Sequence, residues 1–420
     1  MLLPRFYDFC CRVKTISGNK ALEQIPALLA SMGASRPMIV TDKGVVAVGL
    51  IDVVKKAMGK LKPGAIFDGV PVDSDYKVVN AAAKIYRQKK CDSIIAIGGG
   101  SAMDTAKGTN ILASLGGDNL LDYGGAGAVK KKLNPMIAIP TTSGTGSEMT
   151  LVAVIADPDR KVKMTFVSYF LLPDIALLDP RMTKTLPSFL TTSTAMDAMT
   201  HAIEGYYCKE KNPISDSHSL YAIKLISDNL RNVVKNPGDL KGRLALANAS
   251  AMAGISFSNS MVGIVHNLGH STGAVCHVPH GVAMSIFLPY GLEYNIHRCG
   301  DVIGEILFPL AGPEVYAATP KKQRAEKVVE LIRQMNQDLF DATGGKHPRC
   351  LKEIKNRDGR QAVPQSILPA IAKAAMMDGA RLYNPEEVME YDALMVLEHA
   401  YEGIPLDRKK IKKGGKKVAY

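Results

Sequence analysis

The chain has 420 residues, of which 46% are hydrophobic and 22% charged, as in ordinary globular proteins. At this length we expect two domains, and no apolar run approaches the length of a membrane span. Seven scattered cysteines without a Cys-x-x-Cys pair argue against a disulfide framework or a thiolate zinc site, and they fit a reducing cytoplasm. No basic segment leads into an apolar run at the N-terminus, so we expect no signal peptide.

The net charge of +12 is concentrated near the C-terminus. Residues 408–417 read RKKIKKGGKK and contain seven basic side chains. One interpretation is a tether for nucleic acid or another polyanion. We favour a solvated terminus instead, because no aromatic residues interleave the lysines for base stacking. We therefore expect no nucleic-acid partner.

Short β-branched runs alternate with helical segments over the first 180 residues. This alternation is typical of a parallel sheet covered by helices. We predict buried strands at 37–42, 93–97 and 135–140 and a helix at 102–115. Past residue 180, helical spacing of apolar residues dominates and strand-like runs become scarce.

Two of these strands lead into loops suited to a dinucleotide. The cluster Gly98–Ser101 (GGGS) lies between a strand and a helix start, where free backbone N–H groups and the helix dipole attract phosphate. Alone it is a weak signal, because many such turns use glycine only for backbone freedom. The loop 141–148 (TTSGTGSE) adds hydroxyl groups after a neighbouring strand. Two such loops in one sheet indicate a dinucleotide lying along the carboxyl ends of the strands.

Asp42 ends the strand that precedes the glycine cluster. A carboxylate there can accept the ribose hydroxyls of an adenosine and repels a 2′-phosphate, which favours NAD over NADP. An ordinary turn aspartate is an equally good interpretation. The acid of the usual Rossmann fingerprint follows the glycines, whereas Asp42 precedes them, so we predict a Rossmann-like sheet.

The second half carries a set of candidate metal ligands. Asp197 and His201 are four residues apart and so share a helix face. His266 and His270 repeat that spacing in a small, apolar segment, and His280 follows in a Pro-His-Gly corner. Burying several imidazoles without partners is costly, and a carboxylate with imidazoles suits a divalent transition metal. The residues alone leave these five candidates unranked, and we leave His277, in a polar turn, outside the set.

A metal beside a nicotinamide site indicates a particular chemistry. Four ligands saturate a tetrahedral ion, so a catalytic role requires expansion to a fifth position. A hydroxyl bound to such an ion loses its proton more readily, and a bound carbonyl becomes a better hydride acceptor. The two halves together therefore predict alcohol oxidation or aldehyde reduction.

The strings TTSGTGSE, DAMTHAIEGY, FSNSMVGIVHNLGHSTGA and PHGVA, in this order and spacing, closely resemble the iron-containing (group III) alcohol dehydrogenases. The resemblance covers essentially the whole chain. It implies a dehydroquinate synthase-like fold, in which an α/β Rossmann-like domain (1–182) precedes an all-α helical domain (183–420) that binds the metal. It also implies an active site in the cleft between the domains and a homodimer or larger homo-oligomer.

The resemblance also ranks the site residues. It implies that the metal ligands are Asp197, His201, His266 and His280. His270 takes the place of the family's additional histidine, near the nicotinamide and the substrate, where we expect it to relay the hydroxyl proton as a catalytic residue. The residues implied to contact the dinucleotide are Asp42, Gly98, Gly99, Gly100, Ser101, Thr141, Thr142, Thr145 and Lys163. The loop 69–73 departs from the Asn- and Pro-containing pattern of many members.

We predict an NAD-linked, metal-dependent alcohol dehydrogenase or aldehyde reductase acting on small primary alcohols or diols by direct hydride transfer, with the metal as Lewis acid. We expect Fe(II), although imidazole ligands also suit Zn, Ni and Co. Phe257 and Val265 suggest a modest apolar pocket. One alternative is a dehydroquinate-synthase-like cyclase, which needs basic residues near the metal; residues 250–285 contain neither Lys nor Arg. The other alternative, from another class, is a polyanion-binding protein that uses the basic tail.

Overall fold

The computed structural model describes residues 4–160, 162–356 and 358–411. Of these, the residues within 10–186 and 238–254 form one compact unit, here called the sheet unit. The residues within 1–9, 187–237 and 255–420 form a second, here called the helical unit. Both units are discontinuous in sequence, and the domain boundary between residues 182 and 183 stays a prediction.

The sheet unit is built on a six-stranded, fully parallel sheet in the order β1-β9-β6-β4-β2-β3. Its strands are β1 (Lys14–Ser17), β2 (Pro37–Val40), β3 (Ala65–Phe67), β4 (Ser93–Gly98), β6 (Met136–Pro140) and β9 (Ile175–Leu178). The four inner strands are buried along their whole length, as their near-continuous apolar sequences require when both faces of a parallel sheet are covered.

The described part of the sheet unit also contains a three-stranded sheet, five α-helices before β9, and residues 240–254 of a later helix, α8 (Leu240–Ser260). The small sheet has the order β5-β8-β7, with β7 and β8 antiparallel, and comprises β5 (Gly125–Ala126), β7 (Val152–Asp157) and β8 (Val162–Val167). The α-helices are α1 (Ile25–Ser31), α2 (Lys43–Ala47), α3 (Leu50–Met58), α4 (Tyr76–Gln88) and α5 (Gly100–Leu115). Helix α5 follows β4 after one residue, so the glycine cluster lies between a strand and a helix start, as predicted.

The rest of the named elements are helices. They are α6 (Ser188–Tyr207), α7 (Pro213–Lys235), α8 (Leu240–Ser260), α9 (Ile264–Cys276), α10 (His280–Glu305), α11 (Leu307–Ala318), α12 (Arg324–Ala342), α13 (Leu368–Ala375) and α14 (Glu390–Glu402). Helix α6 is buried on nearly every face, because most of its side chains are small or apolar and few are charged. Past β9 the described residues contain no named strand, so the predicted class of an α/β first half and an all-helical second half is confirmed. Within the described ranges, no helix is long and apolar enough to cross a membrane.

Candidate metal centre and dinucleotide loops

Asp197 and His201 lie on the same face of α6, one turn apart, and both are buried in the helical unit. Asp197 is only 2% exposed and His201 only 4%. The i, i+4 spacing stacks their side chains along the helix, and His201 Nδ1 is 3.8 Å from Asp197 Oδ1. On its other side the His201 ring stacks on Phe257, with 4.1 Å between ring centroids.

Two further imidazoles approach the same carboxylate oxygen from other helices. His266, in the first turn of α9, places Nε2 4.0 Å from Asp197 Oδ1. His280, the first residue of α10, places Nε2 3.2 Å from the same atom. Gly281 allows this approach, because a Cβ there would lie 2.3 Å from the carbonyl oxygen of Ser193, one turn before Asp197 on α6. The four predicted ligands are thus brought together by three helices.

The geometry of this cluster fits a metal ion. One ligand atom from each of Asp197, His201, His266 and His280 lies within 4.8 Å of all the others. Ligands at about 2.1 Å from a tetrahedral ion lie roughly 3.4 Å apart, and Asp197 Oδ1 lies 3.8, 4.0 and 3.2 Å from nitrogens of His201, His266 and His280. Among the described residues, Asp197 Oδ1, His201 Nδ1 and His266 Nε2 are buried without a hydrogen-bond partner. Unpaired buried polar atoms are unfavourable, and a shared cation satisfies all three.

The ionisation states also suit a metal. Burial lowers the pKa of His201 to about 3, against the opposing effect of Asp197, and burial lowers the pKa of His266 well below its ordinary value. Burial raises the pKa of the Asp197 carboxyl, but the imidazoles of His201, His280 and His266 outweigh it and lower the net pKa. Near neutral pH the cluster therefore offers a carboxylate and neutral buried imidazoles, which are the forms that bind metals.

Glu204 is a fully buried carboxylate beside the cluster that the sequence analysis did not single out. It lies on α6, seven residues after Asp197, and its Oε2 accepts a hydrogen bond of 2.5 Å from His266 Nδ1. Its position two helical turns from Asp197 in the same string is the signal that could have identified it.

His270 lies one turn after His266 on α9, and its side chain is 44% exposed. Its ring stacks near that of His280, with 5.3 Å between centroids, but it is not part of the cluster of four ligand atoms. Its Nδ1 is 2.9 Å from Asp378 Oδ2. Burial raises the pKa of Asp378, but the hydrogen bond with His270 contributes to a net lowering. Asp378 is 108 residues away in sequence, and no local pattern marks it.

His277 caps the C-terminal end of α9 with a left-handed backbone and is not one of the clustered residues.

In the sheet unit, the glycine cluster (98–101) is in direct contact with the loop 141–148, here called the hydroxyl loop. Gly98 has φ +154°, and a Cβ there would lie 2.5 Å from the Cβ of Ala102, so only glycine fits. Thr141 N donates a 3.0 Å hydrogen bond to the Gly98 carbonyl oxygen. A Cβ on Gly99 would lie 3.4 Å from Thr142. The loops follow adjacent strands, β4 and β6, as predicted.

Thr145 also lies beside the glycine cluster, because a Cβ on Gly100 would be 3.0 Å from its methyl group. The Ser101 hydroxyl, in the first turn of α5, accepts a 3.3 Å hydrogen bond from the backbone N–H of Asp73. Hydroxyl groups and backbone N–H groups thus surround the start of α5.

Asp42 lies next to the glycine cluster, in the sheet unit. Its Oδ1 accepts a hydrogen bond of 2.9 Å from the backbone N–H of Val45, so it caps α2. Its Oδ2 lies 3.3 Å from the position that a Cβ of Gly98 would occupy. Asp42 is therefore a helix cap whose second oxygen remains directed to the glycine cluster.

Lys163, on β8, forms a 2.7 Å ion pair with Asp73 Oδ1. Both side chains are about half exposed (49% and 64%). Asp73 belongs to the loop 69–73 and has a left-handed backbone, with φ 54°. The loop 69–73, whose sequence departs from the pattern of many family members, therefore supplies a carboxylate partner for the predicted dinucleotide-binding lysine.

A buried lysine, Lys107, hydrogen-bonds to the end of the hydroxyl loop, and no local sequence pattern marks it. Lys107 Nζ donates to the carbonyl oxygens of Thr150 and Val152, each at 2.8 Å, and to Ser147 Oγ at 3.2 Å. Burial lowers the pKa of Lys107 to about 8. Asp104 accepts from Ser147 Oγ at 2.9 Å. These bonds hold residues 147–152, which include the end of the hydroxyl loop and lead into β7.

The basic tail lies largely beyond what the structure describes. Arg408 pairs with Glu326 at 3.2 Å, whereas residues 412–420 lie outside the described residues. The polyanion-binding alternative that rests on them stays untested.

Comparison with known proteins gives matches along most of the chain. The model for iron-containing alcohol dehydrogenases matches residues 13–180, and the model for the C-terminal part of the same family matches 191–401. The chain is 32% identical over 403 residues to a 1,3-propanediol dehydrogenase of Klebsiella pneumoniae, covering 94% of this chain and 99% of the relative. It is 32% identical over 387 residues to an NAD-dependent methanol dehydrogenase of Bacillus methanolicus, covering 92% and 97%. The crystal structure of a 1,3-propanediol oxidoreductase superposes with a TM-score of 0.87 at 31% identity, covering 94% and 100%.

Proposed function

The chain belongs to the iron-containing alcohol dehydrogenase family and is an alcohol dehydrogenase, and we propose that it interconverts small primary alcohols or diols with their aldehydes, using Fe(II) and NAD(H). The observation that carries the proposal is the cluster of Asp197, His201, His266 and His280 with its unpartnered buried ligand atoms. Hydride transfer to or from NAD(H) also requires a surface that binds the dinucleotide. We propose that the glycine cluster and the hydroxyl loop of the sheet unit form this surface.

We propose that the four clustered side chains hold the metal. A divalent ion bound there supplies Lewis-acid chemistry, which acidifies a hydroxyl and polarises a carbonyl. One carboxylate and three imidazoles suit Fe(II), and Zn, Co or Ni are the alternatives. Two neighbouring side chains keep these ligands in place: Phe257 stacks on His201, and Glu204 hydrogen-bonds to His266.

The proposed dinucleotide contacts are Asp42, Gly98, Gly99, Gly100, Ser101, Thr141, Thr142, Thr145 and Lys163. The nicotinamide supplies the hydride acceptor or donor. The second oxygen of Asp42 lies beside the glycine cluster, where it can accept from ribose hydroxyls and repel a 2′-phosphate, and this favours NAD over NADP. Replacing Asp42 with Asn keeps the α2 cap and removes the charge. We expect D42N to gain activity with NADP relative to NAD, and an unchanged cofactor ratio would contradict this assignment.

His270 is the proposed catalytic residue for the substrate hydroxyl proton. Asp378 accepts from Nδ1–H of His270, which leaves Nε2 as the acceptor. The partly exposed ring connects such a proton with solvent.

We further propose a cytoplasmic enzyme that assembles as a homodimer or larger homo-oligomer and has no nucleic-acid partner. All seven cysteines are free thiols, which supports a reducing compartment. The assembly follows from the family resemblance alone.

The test is anaerobic reconstitution of the purified protein with Fe(II), Zn(II), Co(II) or Ni(II). Each form is assayed with NAD and NADP against methanol, ethanol, butanol and 1,3-propanediol, and with the aldehydes in reverse. We expect NADH formation that requires the metal and is highest with Fe(II). A metal-loaded protein that forms no reduced nicotinamide with any alcohol would contradict the proposal.

A further inference from the structure

Glu204 has a second task besides packing, which rests on the proposed ligand set. We propose that Glu204 is a positioning residue for the metal: its carboxylate fixes the tautomer and the ring orientation of His266 so that Nε2 faces the other ligands. The clearest evidence is that Glu204 and His266 belong to different helices, α6 and α9, and yet share a hydrogen bond between fully buried side chains.

Every partner that the structure gives to the Glu204 carboxylate is a hydrogen-bond donor or can act as one. Oε1 accepts from the backbone N–H of Val265 at 2.8 Å and from the Tyr207 hydroxyl at 3.1 Å. Oε2 accepts from the backbone N–H of His266 at 3.2 Å and from its Nδ1 at 2.5 Å. Each oxygen therefore faces at least one backbone N–H, which can only donate.

This arrangement suits a carboxyl group, because both of its oxygens can accept hydrogen bonds. An amide of the same shape has one oxygen and one NH₂ group, and either orientation turns the NH₂ group toward a backbone N–H. If the NH₂ group faces His266, its imidazole is also driven to accept at Nδ1, and the proton then moves to Nε2.

The tautomer matters because it decides which nitrogen of His266 can bind a metal. When Nδ1–H donates to Glu204, Nε2 carries the lone pair. Nε2 is the His266 atom that is buried without a partner, and it lies 4.0 Å from Asp197 Oδ1. Helix α6 thus provides two proposed ligands directly and positions a third, on α9, through Glu204.

A purely structural role for Glu204 makes a different prediction. The carboxylate accepts from N–H groups in the first turn of α9, so it also acts as a cap for that helix and suits its dipole. A cap accounts for the two backbone bonds, and its loss lowers stability with or without metal. It does not account for the imidazole bond, whose loss lowers metal affinity specifically.

The experiment compares Glu204→Gln with Glu386→Gln and the wild type. Glu386 is a matched control: it is fully buried in the helical unit and pairs with the imidazole of His297 and with Arg298, and none of these is a proposed ligand. The dissociation constants of Zn(II) and Co(II) are measured anaerobically by competition with a chelator. Apoprotein melting temperature and NADH affinity, which reports on the sheet unit, are measured on the same samples.

We expect E204Q to bind both metals about 10- to 100-fold more weakly, the range found when the hydrogen-bond partner of a metal-binding histidine is removed. Its Co(II) absorption spectrum should also change, because the coordination changes. E386Q should keep the wild-type dissociation constants and spectrum. NADH affinity should stay unchanged in both variants.

Wild-type metal affinity in E204Q, with only a lower melting temperature, would overturn the proposal and leave Glu204 as a helix cap. A wild-type protein that binds no metal would overturn the ligand set together with the inference. If E204Q does not fold, a crystal structure of the metal-loaded wild type decides. A metal on His266 Nε2 with Nδ1 bonded to Glu204 supports the proposal, and a metal on Nδ1 overturns it.

Discussion

Helix α9 carries two histidines one turn apart, and each forms a hydrogen bond with a carboxylate from another part of the chain. The surroundings of the two imidazole–carboxylate pairs differ. His266 donates Nδ1–H to Glu204, and both side chains are buried; His270 pairs with Asp378, and these side chains are 44% and 23% exposed. In both pairs the carboxylate leaves Nε2 as the free nitrogen. The chemistry of each histidine therefore depends on what surrounds Nε2.

Burial separates the two tasks. His266 is held neutral by burial, because its pKa lies well below the ordinary value, and its Nε2 faces a buried carboxylate. A metal cation bound there would satisfy both this nitrogen and the carboxylate. His270 lies outside the ligand cluster and is open to solvent, so it can exchange a proton with water. One turn of helix thus separates a proposed metal ligand from a proposed proton carrier.

The largest expected effect is from His266→Ala. Removing a buried ligand leaves three ligand side chains and an open space at the centre of the cluster. We expect the bound metal to fall to a small fraction of one per chain and alcohol oxidation to fall below detection with it. Metal analysis of the purified protein and initial rates check this, and near-stoichiometric metal would contradict the assignment of His266.

A smaller effect is expected from His270→Ala. Removal of a general acid–base group slows turnover by about 100- to 10,000-fold. Metal content should remain at the wild-type value, since His270 lies outside the cluster. Turnover, metal content and the solvent deuterium isotope effect are measured together. Lost metal would show that His270 is a ligand.

The mildest of these changes is Asp378→Asn. The amide retains the shape but can donate to His270 and reverse its tautomer. We expect kcat to fall roughly tenfold with little change in the metal dissociation constant, by analogy with other partners that orient a functional histidine. A KM effect without a kcat effect would indicate a role in substrate binding instead. The contrast with E204Q, where metal affinity falls, is the sharpest way to separate the two pairs.

Local sequence pattern was sufficient for elements whose chemistry and spacing lie within one segment. The four-residue spacing of Asp197 and His201 predicts a shared helix face, and the structure places both on α6. The buried strand before Gly98 is likewise readable from its continuous apolar residues. In both cases short-range periodicity determines the geometry.

Residues that act through tertiary contacts were not predictable in this way. Asp378 reaches His270 across 108 residues, and Lys107 appears in sequence as an ordinary helical lysine although it is fully buried against the loop at 147–152. Glu204 is the intermediate case. Its helix position was readable, but its bond to His266 depends on how α9 packs against α6.

The most direct measurement compares His270→Ala with His280→Ala by metal content after anaerobic reconstitution with Fe(II) or Zn(II). The two rings stack on each other and both are partly exposed, so general effects on packing are matched. The proposed assignment predicts about one metal ion per chain in H270A and a large loss of metal in H280A. Metal lost from H270A and retained in H280A would contradict it.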